Sequence, residues 1–100
     1  MEKEVREKIR LPKDDEVFGI VEQHVGACRM YVKCDDGKIR LCRIPGRLMR
    51  RMWVKERDLV IVKPWEIQGD KRGDIIHRYT STEASWIKRK GLLKHIAEDL

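Results

Sequence analysis

Aromatic residues are scarce in this sequence, with one phenylalanine, two tyrosines and three tryptophans in 100 residues. The core must therefore be largely aliphatic, and each ring has to be accounted for individually. Cysteine is equally sparse. Cys28, Cys34 and Cys42 are an odd number without a paired CxxC spacing. They fit neither a disulfide framework nor a zinc site, and small buried strand residues are the expected role. No apolar run approaches the length of a membrane span, and the opening MEKEVREKIRLPKDDE has no signal-peptide core. No membrane partner is expected, and the cytoplasm is the expected compartment. His24, His77 and His95 are scattered, and none stands in a nucleophile, metal or phosphate-loop motif. Catalysis, a bound metal and a cofactor are all unexpected. The length argues for a single domain that can bury one core.

What is present is charge, and it is unevenly placed. The chain has 23 basic and 17 acidic residues. From Lys38 to Lys55 there is no acid at all, while Lys38, Arg40, Arg43, Arg47, Arg50, Arg51 and Lys55 fall within the stretch together with Trp53. Continuing to Lys63 adds two bases, Arg57 and Lys63, and two acids, Glu56 and Asp58, and outside that range the two signs nearly balance. A cationic run can be no more than a solvated face whose long side chains lie over apolar surface. The missing acids, the predominance of arginine and the neighbouring tryptophan favour binding to a phosphate backbone and stacking on bases. Trp53 has a second reading, because its spacing from Met49 also suits a core residue.

Along the chain, residues 1–15 form a charged tail that Pro12 prevents from continuing as a helix. Residues 16–80 read as five short strands. The first runs from Val17 to Val25 around Gly19, and the second, Ala27 to Cys34, alternates Cys28, Met30, Val32 and Cys34 with Arg29, Tyr31 and Lys33. Asp35, Asp36 and Gly37 signal a tight turn into a third strand, Lys38 to Ile44, on which Arg40 shares a side with Cys42 and Ile44. Pro45 and Gly46 break that strand, and Arg47 to Val54 reads as a helical turn or irregular connection. The fourth and fifth strands are Leu59 to Trp65, with a different residue set on each side, and Asp74 to Thr80. Residues 81–100 then change period. Thr80 and Glu83 make a capping box for a helix that Gly91 ends, and Leu92, Leu93, Ile96 and Ala97 suggest a further helical turn or two packed on the strands.

Five short antiparallel strands with a basic connection between the third and fourth predict an all-β core, a small OB-fold barrel with short C-terminal helices. The residues expected on its binding strands are Arg29, Tyr31, Lys33, Lys38 and Arg40. With no recognition helix to enter a duplex groove, unpaired or irregular RNA is the better target. A general single-stranded RNA-binding or RNA-chaperone barrel satisfies the same pattern. A protein-interaction barrel using Trp53, Met49 and Met52 leaves the acid-free run unexplained.

The segments CDDGKIRLCRIPGRLMRRMWV, DLVIVKPW and KRGDIIHRY, in this order, resemble the translation initiation factor 1A family, most closely its archaeal branch. The resemblance spans about Leu11 to Ile96. It implies an S1-like OB barrel that binds small-subunit ribosomal RNA near the aminoacyl-tRNA site and aids initiator tRNA binding and start-codon selection. Other initiation factors and the initiator tRNA complex are implied partners, and a monomer is expected. The family's basic motif maps onto Gly46, Arg47, Arg50, Arg51 and Trp53, flanked by Arg40 and Arg43, with Lys55 and Lys63 continuing the charge. Met49 departs from the pattern, since relatives often carry another base there.

Overall fold

The computed structural model describes residues 9–50 and 52–100, so most of the expected N-terminal tail and Arg51 lie outside the described residues. The strands are β1 (Val17–His24), β2 (Arg29–Cys34), β3 (Ile39–Arg43), β4 (Leu59–Pro64) and β5 (Arg72–Arg78). A 3-10 turn, Gly46–Leu48, lies between β3 and β4, and helix α1 (Ser81–Arg89) and a second 3-10 turn, Ala97–Asp99, follow β5.

The strands close into a barrel in the order β1-β2-β3-β5-β4. The β2–β3 hairpin is set by its turn. Gly37 takes a φ of 86°, a region closed to most side chains, and the Gly37 N–H donates to the Cys34 carbonyl at 3.0 Å. Four of the five pairings around the ring are antiparallel, but β3 and β5 run parallel, with Leu41 opposite Arg72 and Arg43 opposite Asp74. This corrects the all-antiparallel expectation, and the reason is parity: strand direction cannot alternate all the way around a closed ring with an odd number of members.

Two cores share the barrel wall. Inside lie Val21, Met30, Val32, Cys34, Cys42, Val60, Val62 and Ile75, joined by Met52 and Val54 from the connection. Outside, Phe18 and Ile20 of β1 and Leu59 and Ile61 of β4 pack against Tyr79, Trp86, Ile87, Leu93 and Ile96. Alternate residues of β1 and β4 thus serve opposite cores, which is why both sides of β4 are apolar in the sequence. Each buried aliphatic side chain contributes about 1.5–3 kcal/mol. The wall is tight where strands approach: a Cβ on Gly73 would lie 2.7 Å from Val62 Cγ1 and 3.2 Å from the Lys63 carbonyl.

The cap of α1 is as its sequence predicts. The Glu83 N–H donates to Thr80 Oγ1 at 3.2 Å, and the Thr80 N–H donates to Glu83 Oε1 at 2.9 Å. Gly91, at φ 71°, follows its end. The expected second helix is only the 3-10 turn at 97–99. The N–H groups of Lys94, His95 and Ile96 are committed to the buried Asp35 carboxylate at 2.6 to 3.2 Å, which fastens this segment to the turn after β2. Cys34 and Cys42 are buried free thiols, and burial pushes both above the ordinary cysteine range. Cys28 lies outside the core, half-buried, with its Sγ 3.5 Å from Met49 Sδ.

Candidate nucleic-acid interface

The outer face of β2 and β3 is made by alternate residues, and the antiparallel register pairs them across the strands. Arg29 faces Arg43, Tyr31 faces Leu41, and Lys33 faces Ile39. Tyr31 and Ile39 are exposed at 42% and 56%, so a ring and an aliphatic surface stand between cations at either end. That combination offers a stacking platform within a positive field. The connection borders the arginine end. Cys28, Arg29, Arg43, Pro45, Gly46 and Met49 line one shallow cavity of about 380 Å³ there.

The connection presents Arg47, Arg50, Trp53 and Lys55 to solvent. Trp53 is 80% exposed, which overturns its core reading. Met52 and Val54 both enter the barrel core, each 9% exposed, and the residue between two inward side chains of an extended segment must point outward. The helical spacing expected here is limited to the short 3-10 turn, and burial alternates with period two from Met52 to Lys55. Among the described residues, Arg29, Arg47, Arg50, Lys55 and Lys63 have no acidic partner within ion-pair distance.

Other expected contacts are already engaged. Lys33 pairs with Asp99 at 3.1 Å and Lys38 with Asp70 at 2.6 Å. The Lys38 bond holds the exposed Asp70 carboxyl below its usual range. Arg43 donates to Asp74 at 3.0 Å and lies over the Trp65 ring, 5.0 Å from its centroid, while Trp65 Nε1 donates to the same carboxylate at 2.9 Å. These pairs are partly open to water, so a phosphate can compete for the cations.

Arg40 is a correction. The sequence places it on the basic outer face, but it is 2% exposed and lies inside the wall with Cys42. Its guanidinium makes two bonds to Asp36, at 3.0 and 2.8 Å, and Nε donates to the Gly69 carbonyl at 2.5 Å. Burial disfavours its charge, but the bonds to Asp36 and Cys34 outweigh this and raise its pKa. Burial likewise works against ionised Asp36, and the Arg40 bonds with the Lys38 N–H still hold its carboxyl low. Arg40 fastens the hairpin turn to the β4–β5 loop and presents nothing to a ligand. The sequence carries two opposed signals at this position: its parity with Cys42 and Ile44 points inward, and its charge points outward.

Among the described residues no group of His, Cys, Asp and Glu is arranged to hold a metal ion. No helix of the described residues is long and apolar enough to cross a membrane.

The chain is similar to known proteins. The family model described as translation initiation factor 1A / IF-1 matches residues 6–99. Translation initiation factor 1A of Pyrococcus abyssi is 57% identical over 84 residues, covering 84% of this chain and 74% of that protein. The protein of the same name from Methanothermobacter thermautotrophicus is 50% identical over 91 residues, covering 91% of each. Among solved structures, the solution structure of a translation initiation factor of the IF-1 type from the Wolbachia endosymbiont strain TRS of Brugia malayi superposes with a TM-score of 0.52. It is 29% identical and covers 67% of this chain and 79% of its own. The barrel is the OB-fold expected from the sequence.

Proposed function

This chain belongs to the translation initiation factor 1A family, and on that premise we propose that it binds small-subunit ribosomal RNA through the outer face of β2–β3 and the connection that follows β3. The observation that carries the reading is the juxtaposition of unpaired Arg47, Arg50 and Lys55 with a tryptophan held outward by its two buried neighbours. Arg29, Arg43 and Lys63 extend the cationic surface, with Lys33 and Lys38 recruited from their acidic partners, Tyr31 available for stacking and Gly46 opening the connection. Arg51 belongs to the same basic run.

The chemistry is binding without turnover. Arginine forks meet phosphate oxygens, Trp53 or Tyr31 takes an unpaired base, and release of counterions supplies much of the affinity. Seated near the aminoacyl-tRNA site, the barrel blocks premature tRNA entry there and so aids initiator tRNA placement and start-codon selection, alongside the other initiation factors. It acts as a cytoplasmic monomer.

Co-sedimentation with purified small and large subunits across a salt series, followed by chemical footprinting, tests this. Preference for the small subunit with protection near the decoding site is expected. Replacing Arg47 and Arg50 with alanine should flatten the salt dependence by about 0.7–1 unit of log slope for each phosphate that is no longer neutralised. Equal binding to any RNA would instead identify a general RNA-binding barrel, and an unchanged slope would remove these two residues from the interface.

A further inference from the structure

The chain enters β1 through a strap, residues 9–16, whose first residue joins the outer core. Its hold on the barrel is slight. Within the strap only Ile9 is buried, in the cluster of Phe18, Tyr79, Trp86 and Ile87, whereas Leu11 is 42% exposed. Tyr79 Oη donates to the Arg10 carbonyl, and Arg10 Nη2 donates to Glu16 Oε2 at 3.2 Å. Glu16 closes the end of the strap: its Oε1 accepts from the Lys13 N–H at 3.0 Å, and its own N–H donates to the Lys13 carbonyl at 2.8 Å. A segment held by one buried side chain and a few bonds belongs to the least stable part of a fold.

A histidine stands beside this strap. The β4–β5 pairing shifts register between Ile61 and Val62, so Ile75 is opposite Val62 of the inner core and His77 is opposite Ile61 of the outer one. His77 thereby meets Tyr79, ring edge to ring face, with centroids 4.8 Å apart. His77 Nε2 and Arg10 Nη1 are both buried, and neither has a hydrogen-bond partner among the described residues. Burial, then the Arg10 charge, pushes the His77 pKa down, against a smaller opposing pull from Glu83 of α1. The nearby carboxylates are engaged elsewhere, Glu83 by the Thr80 N–H and Glu16 by Arg10. A proton on His77 therefore sets a second cation against Arg10, with no acceptor for it among the described residues.

We infer that residues 9–16 are an acid-released strap: protonation of His77 detaches Ile9 and Arg10 from the barrel and opens the groove that the strap helps to wall. That groove, of about 480 Å³, has Leu11, Pro12 and Glu16 on the strap side and Phe18 and Leu92 on the other. The direction follows from proton counting. With the strap docked, His77 takes up a proton less readily than it does once the strap has lifted and water reaches the ring, so acid favours release. Docking is intact above the ordinary histidine value of about 6.5 and is lost as pH falls from there through the docked value.

Nuclear magnetic resonance of the full chain tests it, with backbone relaxation of the strap and the His77 ring resonances followed from about pH 7.5 to about pH 5.5, above the ordinary carboxylate range. The amides of Arg10, Leu11 and Glu16 should become mobile at the midpoint of the His77 titration, while those of β2 and β3 stay rigid. The released-to-docked ratio should rise by up to about tenfold for each pH unit. His77→Phe keeps a ring beside Tyr79 and removes the proton site, so its strap should stay docked throughout. Arg10→Gln keeps the carbonyl that Tyr79 binds and removes the facing charge, so its His77 midpoint should rise and its acid response shrink. A strap that stays rigid while His77 takes up its proton would overturn the inference. So would a response in His77→Phe equal to the parent's, which would trace release to another group, such as His95 across the groove. Should His77→Phe loosen the strap at every pH, Arg10→Gln decides, and a response there as large as the parent's would overturn the inference.

Discussion

Replacing Asp35 with alanine should detach the C-terminal segment from the barrel while leaving the cationic face in place. The Asp35 side chain accepts from three consecutive backbone N–H groups, those of Lys94, His95 and Ile96, and the residue is only 8% exposed. A hydrogen bond to a charged group contributes about 1.5–3 kcal/mol, and losses within one cluster are less than additive. Water can satisfy the freed amides only if the segment lifts away. That sacrifices the burial of Leu93 and Ile96, at about 1.5–3 kcal/mol for each side chain. The smaller of these routes governs, so the expected loss is about 3 kcal/mol. With a urea slope of about 1–3 kcal/mol per molar, the unfolding midpoint falls by about 1–3 M. Asp35→Asn, which keeps one acceptor oxygen and loses the charge, should fall by less than half as much. Hydrogen exchange supplies the local reading: amides 94–96 should exchange much faster in Asp35→Ala, while those of β2 and β3 follow only the global change. An unchanged midpoint with amides 94–96 still protected would refute the claim that this carboxylate holds the segment.

Trp53→Ala should change stability by less than about 1 kcal/mol, since the ring is mostly in solvent, yet weaken RNA binding by about 1–3 kcal/mol if a base stacks on it. Met52→Ala, one position earlier and in the core, should cost about 2–5 kcal/mol, and equal stability losses at the two positions in urea titrations would contradict the outward placement. For pH dependence, His77 carries the sign. Burial, then the nearby Arg10 charge, depresses its pKa, and its Nε2 is buried without a partner. A histidine depressed in the folded state binds fewer protons there than when unfolded. Its contribution is therefore intact above the unfolded value of about 6.5 and is lost as pH falls from there through the folded value. His77→Phe should remove that part of the acid loss in a series of thermal melts, and an identical decline in both proteins would exclude His77 as its source.

Much of this molecule is legible because local chemistry and global fold agree. The Asp35-Asp36-Gly37 turn and the Thr80 cap each have one physical reading, and each is realised. The failures share a cause, which is information held elsewhere in the chain. Arg40 is inward because Asp36 and the Gly69 carbonyl meet it there, and alternation alone gives two faces without saying which is wet. The apolar stripe at 92–97 is genuine, but a carboxylate some sixty residues earlier binds its amides, a long-range contact that local spacing does not announce. Arg57 is visible as a charge and lies in no recognised pattern, since its placement depends on a backbone conformation that composition does not reveal.

The parity that forces one parallel pairing also orders events during synthesis. The β2–β3 hairpin needs only neighbouring residues, so it can form as soon as Arg43 is made. Val17 must wait for Val62, and Leu41 for Arg72, before the ring can close. Until then the nascent chain has its cationic hairpin but no barrel, with Met30, Val32 and Cys42 uncovered on the other side. The strand face assigned to RNA can thus be assembled before the ring closes, and the last strand added shields the apolar side behind it.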